Sequence, residues 1–557
     1  MLQSRGFGKV RLGRCPAASI FVLGSPVMYF DSRRSTVMAT NGMVATSQPL
    51  AAMAGLRILM EGGNAVDAAI CAAATLNVVE PNSTGIGGDM FALVWNQQEK
   101  SVRALNGSGR APAGVSIDDL RAQGHSSMPH VGVHSVAVPG TVDGWETLRD
   151  ACGTMPLSKL LEPAVQYAEK GFPVSEIIAF QWQQFLGKLS TLPSGQELLV
   201  DGRPPNKGDL VRLPTLGAAL REIGEGGAEA FYRGKLAEKT ARFVQEQGGC
   251  LTVEDLANHT SDWDEPISTN YRGVTCWECP PNGQGVAALE ALNIAEGFDI
   301  GAMGAQSADA YHHLIESMRL AFADAFRYVS DPRKVDVPTA QLMSKDFAAA
   351  RRELIQPRQA LSTVPYGQVH GGSDTVYVSV VDGQGNACSF INSIFSDFGS
   401  GLVVPGTGMV LHNRSSLFSL DADHPNALAP NKRPYHTIIP GMATVDGELH
   451  LCYGMMGAFM QPQGHLQLIS NMVDHGMDSQ QAINALRFMV GNDQVIIEEG
   501  LDEGVARELQ ARGHKVGTIT GQRRVSIGGA LIIQRDRDTG VLRAGSEPRK
   551  DGCALGW

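Results

Sequence analysis

The sequence Gly371-Gly372-Ser373-Asp374-Thr375-Val376-Tyr377-Val378-Ser379-Val380-Val381-Asp382 joins a polar connector to a strand pattern. The preceding residues 356–372 are polar and proline-containing, which is typical of a flexible connector. Residues 375–381 alternate as a strand does, residues 382–386 form a hairpin-turn motif, and residues 387–395 predict the return strand. A threonine therefore opens a strand directly after a mobile, glycine-rich linker.

A threonine at this position suggests nucleophilic chemistry. Its hydroxyl is a weak nucleophile that needs a base. An N-terminal threonine carries that base as its own α-amine, whose reference pKa is about 8. This requires cleavage of the Asp374–Thr375 bond. A strand-opening threonine is more often simply a β-former, so the pattern alone leaves both interpretations open.

Composition places the chain among acidic globular proteins. Its 557 residues are 43% hydrophobic and 18% charged, with a net charge of −11 and a pI of about 5.7. No basic block points to nucleic acid. The nine scattered cysteines do not resemble a disulfide framework. We expect Cys276 and Cys279 to lie where a strand runs into a turn.

Residues 1–34 are predicted to be a poorly ordered leader, with an export signal as the alternative. No later segment reaches the roughly 20 uninterrupted apolar residues of a membrane helix. We therefore expect a soluble protein, cytoplasmic or periplasmic, that acts on a small molecule and binds neither nucleic acid nor membrane.

Periodicity predicts an α/β protein. Residues 49–60, 65–76 and 308–328 have helical patterns, whereas residues 90–95 and 273–279 have strand patterns.

The third helix carries a possible metal-ligand set. His312 and His313 each share a helix face with Glu316. One helix supplies too few ligands, so we expect no metal site. No cofactor is expected either.

Several motifs, in order, make the sequence similar to the gamma-glutamyltranspeptidase family from about Met38 onward. They are Gly62-Gly63-Asn64-Ala65-Val66-Asp67-Ala68-Ala69, Gly85-Ile86-Gly87-Gly88-Asp89, Pro280-Pro281-Asn282-Gly283-Gln284-Gly285, Ser317-Met318-Arg319-Leu320-Ala321-Phe322-Ala323-Asp324, Thr375 with Ser379-Val380-Val381-Asp382, Phe398-Gly399-Ser400-Gly401 and Pro430-Asn431-Lys432-Arg433-Pro434.

The resemblance implies an αββα sandwich of the N-terminal-nucleophile hydrolase type. It implies self-cleavage between Asp374 and Thr375 into a helix-rich large subunit, 35–374 after the leader, interdigitated with a small subunit, 375–557. The product would be one heterodimer or a pair of heterodimers. It also implies that Ser393 contacts the amine of the nucleophile Thr375, and that the Gly457 and Ala458 N–H groups stabilise the oxyanion.

The family's contacts to the γ-glutamyl α-carboxylate and α-ammonium are altered here. Phe395 replaces an asparagine, Arg414 an acid or amide, and Leu417 the aspartate that takes the ammonium. His436 and Thr437 replace two serines, so His436 is expected to line the acyl pocket, although a general-base role is the alternative. The family's large-subunit arginine is replaced by Ser108, with Arg110 two residues later.

These changes predict an acyl group that ends in a carboxylate and lacks the α-amine, held by Arg414 or Arg110. Glutaryl is such a group, so the sequence resembles the transpeptidase-type cephalosporin acylases, with some γ-glutamyl transfer remaining. The alternatives are a γ-glutamyl hydrolase acting on glutathione-like substrates, an oxamate-type amidohydrolase, and a relative that has lost activity.

Overall fold

Two antiparallel sheets of seven strands each form the centre of the computed structural model, which describes residues 34–364, 375–491 and 494–557. The described residues from Ser35 onward belong to one compact unit. The predicted leader, apart from Arg34, and Asp374 of the predicted cleavage site lie outside the described residues.

Sheet I contains the strand that follows Thr375. Every neighbouring pair in it is antiparallel. Its strands, in spatial order, are Cys553–Gly556, Met43–Thr46, Val376–Val381, Ala387–Ser393, Asp89–Asn96, Ser101–Gly107 and Asp262–Asp264.

Sheet II faces sheet I and is also antiparallel throughout. Its strands, in spatial order, are Val37–Ala39, Leu542–Ser546, Gly529–Arg535, Glu448–Met456, Pro440–Val445, Val274–Glu278 and Ile267–Tyr271. Three small sheets lie outside the sandwich: Phe172–Pro173 with Leu210–Val211, Val403–Val404 with Met409–Val410, and Phe488–Val490 with Val495–Glu498 and Val516–Ile519.

Side-chain alternation along the strands fills three apolar layers. In Val376–Val381, Val376 and Val378 face the helices that cover sheet I. Tyr377 and Val381 face sheet II, where they pack in the layer between the two sheets. All six side chains of this strand are buried. A strand buried on both faces reads as a nearly continuous apolar run, and this one does.

Helices cover the outer face of each sheet. The layer on sheet I comprises Pro49–Met60, Ala65–Val79, Thr141–Cys152, Leu157–Lys170, Glu176–Gln184, Leu186–Leu189, Pro214–Tyr232, Lys235–Glu246 and Val253–Ala257. The layer on sheet II comprises Gly285–Ala295, Ile300–Met303, Ala308–Tyr328, Thr339–Leu342, Lys345–Arg352, Met460–Val473, Ser479–Asn484 and Glu503–Ala511.

A short helix, Ile117–Ala122, packs on a separate small cluster. The 3₁₀ turns are Val133–Ser135, Pro193–Leu198, Arg414–Leu417 and Gly521–Ile527. The predicted αββα sandwich is confirmed.

The elements follow the predictions with one clear difference. The alanine-rich helix runs over Ala65–Val79, and every one of its residues is buried. Cys276 lies in strand Val274–Glu278, with Cys279 just beyond its end. The predicted return strand to Phe395 was too long, since it ends at Ser393. Phe395 has a φ of +76°, which an extended strand does not allow.

Strands from residues 34–364 and from residues 375–557 share both sheets. In sheet I, strand Met43–Thr46 lies between Cys553–Gly556 and Val376–Val381. In sheet II, four consecutive strands from the C-terminal part separate Val37–Ala39 from Val274–Glu278. The two parts therefore interdigitate as predicted. Among the described helices, none has the length and apolar character needed to cross a bilayer.

Candidate active site

Three buried polar residues form a row across sheet I at one end of the sandwich. Val376 pairs with Asn392, so Thr375 lies opposite Ser393, and Ser393 in turn pairs with Asp89. Residues directly opposite in an antiparallel sheet project to the same face. Thr375 Oγ1 lies 3.1 Å from Ser393 Oγ, and Ser393 Oγ accepts the Phe395 N–H at 2.8 Å. Ser393 thus contacts the Thr375 hydroxyl, and its contact with the Thr375 amine stays a prediction.

The predicted oxyanion residues form a turn at the end of sheet II strand Glu448–Met456. Ser379 Oγ donates to the Cys452 carbonyl at 2.9 Å, and a Cβ on Gly454 would lie 2.4 Å from the Tyr377 ring. Strand Val376–Val381 of sheet I and strand Glu448–Met456 of sheet II therefore run in opposite directions. Moving from Ser379 towards Thr375 corresponds to moving from Cys452 towards Gly457.

The backbone of this turn is unusual. Gly457 has a φ of +119° and Ala458 a φ of +47°. Positive φ at two successive residues turns the chain sharply away from the direction of the strand. The turn lies at the Thr375 end of the sandwich, as the oxyanion role requires.

Gln284 connects this turn to the predicted acyl pocket. Its Nε2 donates to the Ala458 carbonyl at 2.9 Å and to the Thr437 carbonyl at 2.6 Å. Its Oε1 accepts from the Tyr435 hydroxyl at 3.2 Å. One buried amide therefore fixes the oxyanion turn relative to the loop that carries Thr437.

Arg414 is completely buried beside Phe395. Its Nη1 donates to Thr437 Oγ1 at 2.7 Å, and its guanidinium carbon lies 4.6 Å from the centre of the Phe395 ring. Among the described residues, Arg414 Nη2 has no hydrogen-bond partner. Leu417, at the other end of the same 3₁₀ turn, is partly buried against the cluster that contains Phe395. Arg414 thus contacts Phe395 and Thr437, and Leu417 lies in the same turn as Arg414.

Asp89 is the charged centre of this cluster. Its Oδ2 lies 3.6 Å from Arg414 Nε, 3.2 Å from His412 Nδ1 and 3.1 Å from His436 Nε2. Its Oδ1 accepts the Gly109 N–H at 2.9 Å. Burial by itself raises the pKa of Asp89, but His412 and His436 outweigh it and hold that pKa well below its usual value.

The protonation of the surrounding groups follows from their contacts. Burial, and then the nearby Arg414, lower the pKa of His436 to about 3, so its ring is neutral. His436 Nδ1 accepts the Ile438 N–H at 3.3 Å, which leaves the proton on Nε2 to be donated to Asp89. Burial lowers the pKa of Arg414 to about 10, and Asp89 limits this fall. A carboxylate and a guanidinium therefore lie side by side in the buried site.

Arg110 lies outside this cluster. Its Nη2 pairs with Asp262 Oδ2 at 3.0 Å, and its Nη1 donates to the Thr260 carbonyl at 3.2 Å. The buried Arg433 contacts the same two groups. Of the two predicted carboxylate anchors, only Arg414 adjoins the other pocket residues.

Sequence reasoning missed three residues of the site: Asp89, Gln284 and His412. Asp89 ends the glycine-rich motif of residues 85–89 and begins a strand. Gln284 lies in the motif of residues 280–285. The signal available in the sequence was therefore the position of each residue in a family motif. Their contacts span long sequence separations, which a single sequence does not indicate.

A cavity of about 560 Å³ lies elsewhere, at the hairpin end of sheet I. Its lining includes Trp95, Arg103, Gln384 and Asn386. This end is opposite the one that carries Thr375, so the cavity is separate from the candidate site.

This fold and this site are those of an N-terminal-nucleophile amide hydrolase. The family model for gamma-glutamyltranspeptidase matches residues 51–557, and the chain belongs to that family. It is therefore an amide hydrolase or acyltransferase of the N-terminal-threonine type, the class to which the family belongs.

Similar proteins span almost the whole chain. A glutathione hydrolase-like YwrD proenzyme from Bacillus subtilis (strain 168) is 36% identical, covering 94% of this chain and 99% of the relative. An oxamate amidohydrolase proenzyme from Klebsiella pneumoniae subsp. pneumoniae is 34% identical, covering 94% of this chain and all of the relative. The crystal structure of a cephalosporin acylase from Bacillus halodurans has a TM-score of 0.90 at 44% identity, covering 96% of this chain and 99% of that one.

Proposed function

We propose that this protein cleaves itself before Thr375 and then hydrolyses amides whose acyl group ends in a carboxylate, with glutaryl preferred. The observation that carries the proposal is the buried Arg414 guanidinium, whose Nη2 has no hydrogen-bond partner among the described residues. A buried donor without a partner is costly, and a ligand carboxylate would satisfy it.

The surroundings of Arg414 disfavour an α-ammonium. Phe395 and Leu417 contribute only apolar surface. Asp89 is the nearby carboxylate, but its Oδ1 accepts from Gly109 and its Oδ2 faces His436 and Arg414. An ammonium entering this site would lose its hydration without gaining a free acceptor, at a cost of about 1–3 kcal/mol or more.

The width of sheet I supports a multi-carbon acyl chain. Thr375 and Asp89 lie two strands apart, and strands are about 4.8 Å apart, which gives roughly 10 Å. Arg414 Nε adjoins Asp89. The carbonyl and carboxylate carbons of an oxalyl group, the acyl group of oxamate, are one bond of about 1.5 Å apart, whereas those of glutaryl are separated by roughly 5 Å. The longer group fits better between Thr375 and Arg414.

In the proposed reaction Thr375 supplies both the nucleophile and the base. Thr375 Oγ attacks the amide carbonyl while its α-amine takes the proton, and the Gly457 and Ala458 N–H groups stabilise the oxyanion. The amine leaves with that proton, which gives an acyl-Thr375 ester. Water or an acceptor amine then releases the acyl group. The two fragments remain together as a heterodimer.

Rates with glutaryl, γ-glutamyl and oxalyl p-nitroanilides test the acyl preference. We expect kcat/KM to be highest for glutaryl. A strong preference for γ-glutamyl would refute the exclusion of the ammonium and would favour a glutathione hydrolase. A preference for oxalyl, the acyl group of oxamate, would refute the distance argument.

Thr375→Ala tests the nucleophile. The variant should migrate as one uncut chain on a denaturing gel and have no amidase activity. Ser379→Ala is a suitable control, since Ser379 lies on the same strand and its hydroxyl donates to the Cys452 carbonyl rather than to Thr375. Cleavage and turnover in Thr375→Ala would show that the nucleophile lies elsewhere.

A further inference from the structure

We propose that Asp89 is a positioning residue that orients Arg414 for the acyl carboxylate, and so determines the preference for acid-ended over neutral acyl groups. This rests on the function proposed above. Asp89 follows Gly88 at the start of strand Asp89–Asn96 and pairs with Ser393. It therefore connects the nucleophile row to the acyl anchor.

The orientation of Arg414 depends on three contacts. Thr437 Oγ1 accepts from Nη1 at 2.7 Å, Asp89 Oδ2 lies 3.6 Å from Nε, and the Phe395 ring lies against one face of the guanidinium. The ring fixes the guanidinium plane, and the two oxygens fix its rotation within that plane. Among the described residues neither Nε nor Nη2 has a hydrogen-bond partner, but Nε forms an ion pair with Asp89, which leaves Nη2 for a ligand.

Asp89 is itself held rigidly. Its Oδ1 accepts the Gly109 N–H, and its Oδ2 accepts from His436 Nε2, whose tautomer is set by Ile438. His412 Nδ1 lies 3.2 Å from the same Oδ2, and its Nε2 donates to the Ala137 carbonyl at 2.9 Å. The Gly109 and His436 donors make Asp89 a firm reference point for a long, flexible arginine side chain.

Asp89→Asn distinguishes a positioning role of Asp89 from a role that only neutralises Arg414, because the two roles predict opposite changes in KM. The amide would place its NH₂ group either towards Arg414 Nε and His436 Nε2 or towards the Gly109 N–H. Donors would face donors in both orientations, and the negative charge beside Arg414 would be lost, so the guanidinium would turn. This raises KM for acid-ended substrates. If Asp89 served only to neutralise Arg414, its removal would instead leave more positive charge and lower that KM.

The test compares glutaryl and butyryl p-nitroanilides with the processed enzyme. The wild type should prefer glutaryl. In Asp89→Asn, KM for glutaryl should rise by about tenfold to a hundredfold, the range for one lost charge-assisted contact. We expect kcat for glutaryl and kcat/KM for butyryl to change by less than about threefold, because no contact to the acyl carbonyl is lost. A general loss of structure would lower both substrates together.

Asp89→Glu provides the second variant. It keeps the charge but displaces it by one methylene, so KM for glutaryl should again rise while butyryl is unaffected. If Asp89→Asn does not fold, Asp89→Glu alone tests whether Asp89 positions Arg414. In an Arg414→Gln background, neither change at residue 89 should alter the glutaryl-to-butyryl ratio further.

Each outcome has one meaning. An unchanged or lower KM for glutaryl in both Asp89 variants, with a preference for glutaryl in the wild type, overturns the positioning role alone. A wild type that shows no preference for glutaryl over butyryl overturns the proposed function and the role of Asp89 together.

Discussion

Leu417→Asp should move the acyl preference from glutaryl towards γ-glutamyl. Leu417 closes the 3₁₀ turn Arg414–Leu417, and residues three apart in such a turn lie on the same side. An aspartate there would place a carboxylate beside Arg414 and at the edge of the pocket. It would give a ligand ammonium the acceptor that the wild-type pocket lacks.

The expected size follows from the contacts. One charge-assisted hydrogen bond contributes about 1.5–3 kcal/mol, which corresponds to roughly 10–150-fold in kcat/KM for the γ-glutamyl amide. The same carboxylate can pair with Arg414, so kcat/KM for glutaryl should fall. Leu417 is only partly buried, so the lost apolar contact should cost about 1 kcal/mol of folding stability.

Initial rates with glutaryl and γ-glutamyl p-nitroanilides measure the ratio directly. Leu417→Asn is the matched control, since it has the same shape without the charge. The ratio should shift in the aspartate variant only. An equal ratio in the two variants would refute the view that the missing acid excludes the ammonium.

Two further predictions concern the oxyanion turn and a buried histidine pair. Gly457→Ala should reduce kcat by on the order of 100-fold, because its Cβ would lie 3.0 Å from Gly528 Cα at a φ of +119°. Ala458→Gly is the control, since it keeps both N–H groups and should stay active. Similar kcat values for the two variants would count against the oxyanion role assigned to this turn. His312 Nδ1 lies 2.8 Å from His514 Nε2, and burial lowers the pKa of His312 to about 4 and that of His514 to about 3. Both histidines therefore bind protons in the unfolded chain from about pH 6.5 downward, while in the folded protein they stay neutral. The contribution of the neutral histidine pair to folding stability is complete above pH 6.5 and is lost as the pH falls towards 4. Melting temperature should fall over that range, and less steeply in a His312→Gln, His514→Gln double variant; equal slopes would contradict the assignment.

The sequence predicted the sandwich well, and it correctly placed the start of a strand directly after Thr375. The run from Thr375 to Val381 is apolar or β-branched at nearly every position, so its strand character needed no tertiary information. The helix from Ala65 was predictable for a similar reason, since Asn64 caps it and alanine dominates it. Motif order then identified the family.

The pocket was predictable only in part. Arg414 and Arg110 were equal candidates as carboxylate anchors, because each is an arginine near a family position. Their difference depends on Asp262, which pairs with Arg110, and on Asp89, which adjoins Arg414. Both partners are distant in sequence from the arginines that they contact. The end of the return strand was also missed, because the positive φ of Phe395 is set by the loop that packs around it.

The strand order has a consequence for how the enzyme is assembled. Neither sheet can be completed by residues 35–364 or by residues 375–557 alone, because each sheet contains strands from both. An intact precursor folds in a first-order process, with the chain itself keeping the two parts at high local concentration. Once the bond before Thr375 is cut, refolding becomes a bimolecular reaction that slows on dilution. Self-cleavage would thus leave a native state that is long-lived once formed but is recovered poorly after denaturation.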